Sequence, residues 1–149
     1  MMTRQTILQV EDREEDVFLL RYAFKRAGIE NPVRVVVDGQ QAVNYLSGKD
    51  AYSDRLKFPL PHLILLDLQL PHLTGLQVLE WIRSQPALKP LIVIILSSSI
   101  HEGDIRRAYE LGANAFLVKP SSTDTLADMA AALKHFWLTH NISPAETIG

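Results

Sequence analysis

Five short apolar runs divide the chain, ILQV at 7–10, VRVVV at 33–37, LILL at 63–66, LIVIIL at 91–96 and AFLV at 115–118. Several are apolar at consecutive positions. Strands read this way when both of their faces are buried, as in a parallel sheet covered by helices on each side. Arg34 interrupts the second run, which suits an edge strand. The segments between the runs have helical spacing: 14–27 ending at Gly28, 39–47 ending at Gly48, 75–85 ending before Pro86, 100–111 ending at Gly112, and 122–139. Glycine just past a helix end is a stop signal. Asp38 with Gln41 and Ser99 with Glu102 are spaced as capping boxes at two of the starts. Five strands alternating with five helices make an α/β domain of (βα)5 type, a doubly wound parallel sheet with right-handed crossovers. The 149 residues suit one domain over 1–149. The one long connection, 48–61, is polar, carries two prolines and is too short to be a domain boundary.

Composition closes off several functions. A hydrophobic share of 47% and a charged share of 21% allow an ordinary globular core. Net charge is −2, and basic pairs such as Lys25-Arg26 and Arg106-Arg107 stand alone, so no basic face for nucleic acid is expected. The absence of cysteine excludes disulfides, thiolate metal sites and thiol catalysis. The start MMTRQTILQVED lacks the apolar core of a signal peptide, and no run approaches the ~20 residues of a membrane helix. A cytoplasmic protein with no membrane contact is expected.

In a sheet of this kind, function gathers where the strands end at their carboxyl edge. The residues there are Glu11 and Asp12, Asp38, Asp67, then Ser97, Ser98 and Ser99, and Lys119 followed by Pro120. With strand order 2-1-3-4-5 the crevice falls between the first and third strands, which deliver Glu11, Asp12 and Asp67. Two unit charges ~4 Å apart repel by about 4 kcal/mol at an effective dielectric of about 20, so three ionised carboxylates need a counterion. A hard divalent cation with oxygen ligands answers that need, and Mg²⁺ suits a partly hydrated carboxylate site. Other readings exist for single residues. Asp12 with Glu15 fits a capping box, Asp67 a turn and Lys119 a solvated lysine. Glu14, Glu15 and Asp16 read as first-turn acids that favour the helix dipole and face water. Ser99 reads as a cap, leaving Ser97 free for the site. The five histidines lack the spacing of a zinc site.

VED at 10–12, LLDLQLP at 65–71 with Gly75 four residues on, ILS at 95–97 and FLVKP at 116–120 resemble the signature of the CheY-like response regulator receiver domain. The resemblance spans residues 5 to about 138. It implies the flavodoxin-like fold, and the strand order 2-1-3-4-5 comes with it. It further implies a phosphoacceptor at Asp67, with Mg²⁺ held by Glu11, Asp12, Asp67 and the backbone carbonyl of Gln69. Ser97 and Lys119 would bind the phosphoryl group, Ser97 and Phe116 would form the switch, and a cis bond before Pro120 would aim the lysine. Phe116 stands where the family often has tyrosine and lacks that hydroxyl. AYELGAN at 108–114, the long loop before the third strand and HFWLTHN at 135–141 resemble single-domain regulators that partner phytochrome-type histidine kinases.

The implied function is a phosphorelay step in two-component signalling. Asp67 takes a phosphoryl group from a kinase phosphohistidine, and signalling proceeds by protein contact or phosphate relay, since only the tail at 140–149, expected to be flexible, follows the fifth helix. An aspartyl-phosphate phosphatase would need a second Asp two positions after Asp67, where Gln69 stands. A flavin carrier would need a Ser/Thr- and Gly-containing loop where the chain has EDREED. A receiver-like scaffold that never takes phosphate generally lacks the acceptor, an acidic partner or the lysine, and all three are present here. At the chain's end, Leu126, Met129, Ala130, Leu133 and Trp137 form an apolar stripe with Phe136 at its margin and Leu138 on the far side. Phe136, Trp137 and Leu138 are therefore candidates for a homodimer or partner surface on the face of the fourth helix, fifth strand and fifth helix.

Overall fold

A computed structural model describes residues 5–144. Strands β1 (Ile7–Val10), β2 (Val33–Val36), β3 (Leu63–Leu66), β4 (Val93–Ser97) and β5 (Ala115–Val118) alternate with helices α1 (Glu14–Arg26), α2 (Gly39–Ser47), α3 (Gly75–Ser84), α4 (Glu102–Glu110) and α5 (Thr123–Leu133). The strands pair in parallel in the order β2-β1-β3-β4-β5, as the family resemblance implied. β1, β3 and β4 are buried at every position, which accounts for their unbroken apolar runs. β2 lies at an edge with Arg34 exposed.

Successive side chains leave the sheet on opposite faces and build two core layers. Leu8, Val10, Ile64, Leu66, Val93 and Ile95 pack against Ala42, Tyr45 and Leu46 of α2, Val78, Leu79 and Ile82 of α3 and Ala108 of α4. Ile7, Leu63, Leu65, Ile94 and Leu96 pack against Leu20, Ala23 and Phe24 of α1 and Leu126, Ala130 and Leu133 of α5. Burying one such aliphatic side chain is worth about 1.5–3 kcal/mol, so the sheet is the stable platform of the molecule. The long connection 48–61 is tied down by Arg55, whose guanidinium donates to the carbonyls of Tyr45 and Leu46 at the end of α2 and to that of Phe58. Among the described residues, no helix is long and apolar enough to cross a membrane.

Several local expectations hold and several are corrected. Asp38 accepts a hydrogen bond from the Gln41 N–H at 2.7 Å and caps α2. Gly28, Gly48 and Gly112 stop their helices with positive φ. Ser99 does not cap α4. That helix starts later than expected, at Glu102, so its flanking residue is His101. The Ser99 N–H donates to Ser97 Oγ instead. Asp12 does not cap α1 either, because Arg13 occupies the flanking position. The capping box in the structure is Thr74 with Gln77, which the sequence analysis passed over.

The end of the fifth helix also differs. Beyond Leu133 the chain continues as a π-helix over Lys134–His140, with the Asn141 N–H bonded to the Phe136 carbonyl five residues back. This wider turn changes the periodicity on which the stripe was drawn. Trp137 and Leu138 both pack against the second core layer, so Leu138 is not on the far side. Phe136 is left 56% exposed, its ring edge-on to Trp137. Of the tail, Ile142 is exposed and Ser143 buried, while 145–149 lie outside the described residues.

Candidate functional site

Strand register explains how residues far apart in sequence meet. Val10 is level with Leu66, so Glu11 and Asp67 leave adjacent strands at the same height. Leu66 is level with Ile95, and Ser97 with Val118, so Ser97 and Lys119 stand at the same edge, one and two strands from Asp67. The Lys119 N–H donates to the Ser97 carbonyl at 2.7 Å and joins the two strand ends.

Glu11, Asp67 and Ser97 are buried, at 3%, 5% and 1% exposure, while Asp12 is exposed. Glu11, Asp12 and Asp67 each offer a carboxylate oxygen, and these oxygens lie within 4.8 Å of one another. Gln69 follows on the turn, its N–H 3.3 Å from Asp67 Oδ1 and its side chain exposed. Gly75, at the first position of α3, allows that helix to sit against the backbone of Asp67, since a Cβ there would lie 2.1 Å from the Asp67 carbonyl oxygen.

The lysine is held from several sides. Lys119 Nζ donates to Glu11 Oε1 at 2.5 Å and to Asp16 Oδ2 at 2.9 Å, and it lies 3.5 Å from Asp67 Oδ2. Burial pushes the Glu11 carboxyl up to about 7, with the Lys119 hydrogen bond pulling the other way and the Asp67 charge adding to the rise. Burial alone would lower Lys119. Its hydrogen bonds to Glu11 and Asp16 and the charge of Asp67 lift it above the usual lysine value. Three hard oxygen donors, one of them costly to ionise where it lies, could hold a hard divalent cation of the Mg²⁺ or Mn²⁺ kind.

Sequence reasoning missed Asp16. It was read as a first-turn acid facing water, yet its side chain is only 20% exposed and is bonded to Lys119. The available signal was its place in the first turn of the helix that leaves the same sheet edge as Glu11. Pro120 is corrected too. The peptide before it is trans, as is every peptide bond among the described residues. Trans is the lower-energy isomer for X–Pro by about 0.5–1 kcal/mol, and Lys119 reaches its carboxylates in it. Phe116 is partly buried and packs against the core layer on the α4 side. Phe136, Trp137 and Leu138 stand apart from this site, at the end of the fifth helix.

Comparison with known proteins agrees with this fold. The family model of the response regulator receiver domain matches residues 7–131. Response regulator Rcp1 of Synechocystis sp. is 35% identical over 95% of this chain and 94% of its own. A probable methanogenesis regulatory protein, FilR2, of Methanothrix harundinacea is 35% identical over 93% of this chain and 86% of its own. The crystal structure of the phosphorylated cyanobacterial phytochrome response regulator RcpA superposes with a TM-score of 0.88 at 34% identity, covering 95% of this chain and 99% of that one. The Mn²⁺-bound form of Rcp1 superposes at 0.84, with 34% identity, over 94% of this chain and 99% of that one. By sequence and by fold alike, the chain belongs to the response regulator receiver domain family of two-component signalling.

Proposed function

We propose that this protein accepts a phosphoryl group on Asp67 from the phosphohistidine of a sensor histidine kinase, in a reaction that depends on Mg²⁺. The observation that carries the reading is the convergence of Glu11, Asp12, Asp67 and Lys119 on one crevice. Asp67 attacks phosphorus as its carboxylate, the bond from phosphorus to the histidine nitrogen breaks, and an acyl phosphate forms. Glu11, Asp12, Asp67 and the Gln69 carbonyl would hold Mg²⁺. When bound, the metal offsets the charge on the phosphoryl oxygens. Lys119 and the Ser97 hydroxyl are the groups in this chain that take those oxygens, which bring a charge of roughly −1.5 to −2. Rcp1 with Mn²⁺ and RcpA in its phosphorylated form support the metal and the modification.

Ser97 drawn toward the phosphoryl group would pull the loop before α4 and open space for Phe116, turning a charge event into a surface event. The α4-β5-α5 face carries exposed apolar groups at Ile100, Tyr109 and Val118, with Phe136 beyond them, and suits a downstream protein or a second copy of the chain. A phytochrome-like kinase as the donor is supported by the likeness to Rcp1 and RcpA, and a single receiver domain by the family match over residues 7–131. The test is incubation with acetyl phosphate and Mg²⁺ followed by intact-mass measurement. Wild type should gain one phosphoryl mass, while Asp67→Asn and wild type in chelator gain none. No gain in wild type, with acetyl phosphate or with a cognate kinase, would favour a scaffold that never takes phosphate.

A further inference from the structure

The carboxylate of Asp16 plays no part in the donor set of Glu11, Asp12 and Asp67, yet it holds Lys119, the ammonium beside Asp67, and lies 3.9 Å from Arg13 Nε as well. Lys119 Nζ is 2.9 Å from Asp16 Oδ2 and 3.5 Å from Asp67 Oδ2, so the ammonium sits on the α1 side of the crevice. An ammonium has three donors, and two of them are taken by Glu11 and Asp16. We propose that Asp16 is a positioning residue that draws Lys119 away from Asp67 and thereby weakens the site's hold on a phosphoryl group, on the reading that Asp67 is the acceptor. A divalent cation would engage Glu11 as a ligand and leave Asp16 as the carboxylate still holding the lysine.

Two features make the exchange feasible. A cavity of about 40 Å³ lined by Lys119 with Gln9, Glu11, Asp16, Leu19 and Leu126 leaves the lysine loosely packed on its α1 side. Asp16 lies in the first turn of α1, where the helix N-terminus favours a carboxylate without help from the lysine. Binding phosphoryl oxygens then requires Nζ to give up one charge-assisted hydrogen bond in order to make another. The ion pair in the resting site is a brake on the phosphorylated one.

The test is a titration of the full chain with fluoroberyllate, a phosphoryl mimic, at saturating Mg²⁺, followed by fluorine NMR. It compares wild type, Asp16→Asn, Lys119→Ala and the double variant. Asp16→Asn should bind fluoroberyllate about threefold tighter or more, and the same change in the Lys119→Ala background should make no difference. Asp16→Ser, which keeps a polar first-turn residue, replaces Asp16→Asn if thermal unfolding shows that variant misfolded. Unchanged or weaker binding in Asp16→Asn overturns the proposal. Equal tightening in both backgrounds also overturns it, because Asp16 would then act through its own charge. Failure of wild type to bind fluoroberyllate, or wild-type binding by Asp67→Asn, overturns the acceptor reading and this inference with it.

Discussion

Alanine in place of Gly75 puts a methyl group where the structure has none to spare. The added Cβ would lie 2.1 Å from the Asp67 carbonyl oxygen, 2.6 Å from Leu68 Cα and 2.9 Å from the Asp67 carbonyl carbon, against an ordinary contact of 3.4–4 Å. All three atoms are backbone, so no rotamer change relieves the clash, and α3 must move away from β3 by about 1 Å in an interior with little free volume. Overpacking of this kind costs about 3 kcal/mol, at the upper end of such changes. For a domain of this size that is a fall in Tm of roughly 6–12 °C. A displacement of about 1 Å at the nucleophile should also slow phosphorylation of Asp67 by on the order of a hundredfold. Gly103→Ala in α4 is the control, because a Cβ there meets nothing within 4 Å. In a helix alanine is favoured over glycine by up to about 1 kcal/mol, so Gly103→Ala should be neutral or stabilising. Thermal unfolding and acetyl phosphate labelling of the two variants decide the matter. A Gly75→Ala protein as stable as wild type, gaining helix propensity without the clash, would refute the close approach of α3 to the acceptor.

Other outcomes follow from the site and the fifth helix. Asp12→Ala should weaken Mg²⁺ binding about tenfold or more and Glu14→Ala hardly at all, and equal losses by calorimetry would mean that the wrong acids have been assigned to the crevice. In the folded chain the Glu11 carboxyl is held up to about 7, against 4.5 for the ordinary group, so the fold binds a proton there that the unfolded chain releases first. Its contribution to stability is therefore full below about pH 4.5 and lost as pH rises through 7, on the order of 3 kcal/mol in metal-free protein. Glu11→Gln should flatten that fall in Tm between pH 5 and about 8, and an unchanged profile would contradict the burial argument. Leu138→Ala should lower stability by roughly 1–2 kcal/mol, since Leu138 packs on the second core layer. Phe136→Ala should leave stability within about 0.5 kcal/mol and weaken phosphorylation-dependent self-association in sedimentation; unchanged association would return Phe136 to an incidental exposed aromatic.

What the sequence revealed and what it hid divide along physical lines. The strands were legible because β1, β3 and β4 are buried on both faces and leave unbroken apolar runs, and Arg34 marked the edge strand correctly. Glu11, Asp67, Ser97 and Lys119 were found because strand ends in a parallel sheet share one edge, so chain position alone predicts proximity. Asp16 was hidden because a first-turn acid has the same local pattern whether it faces water or a lysine brought in from β5, more than a hundred residues away. The cap at Ser99 failed on its boundary, since a start displaced by two residues moves a box spacing off the helix, and the rival capping reading of Asp12 fell because Arg13 holds the flanking position. Leu138 was assigned to the wrong side because a regular helical period was carried through a segment that turns π-helical.

The proposed function comes down to one bond, between phosphorus and a carboxylate oxygen of Asp67. Borohydride reduces an acyl phosphate to the alcohol, so protein labelled with phosphate and then reduced should carry homoserine at the modified aspartate. Peptide sequencing by mass spectrometry locates it. Homoserine should appear at position 67 and nowhere else, in a yield that depends on Mg²⁺. Homoserine at position 12 or 16, or labelled protein whose Asp67 remains an aspartate, would contradict it.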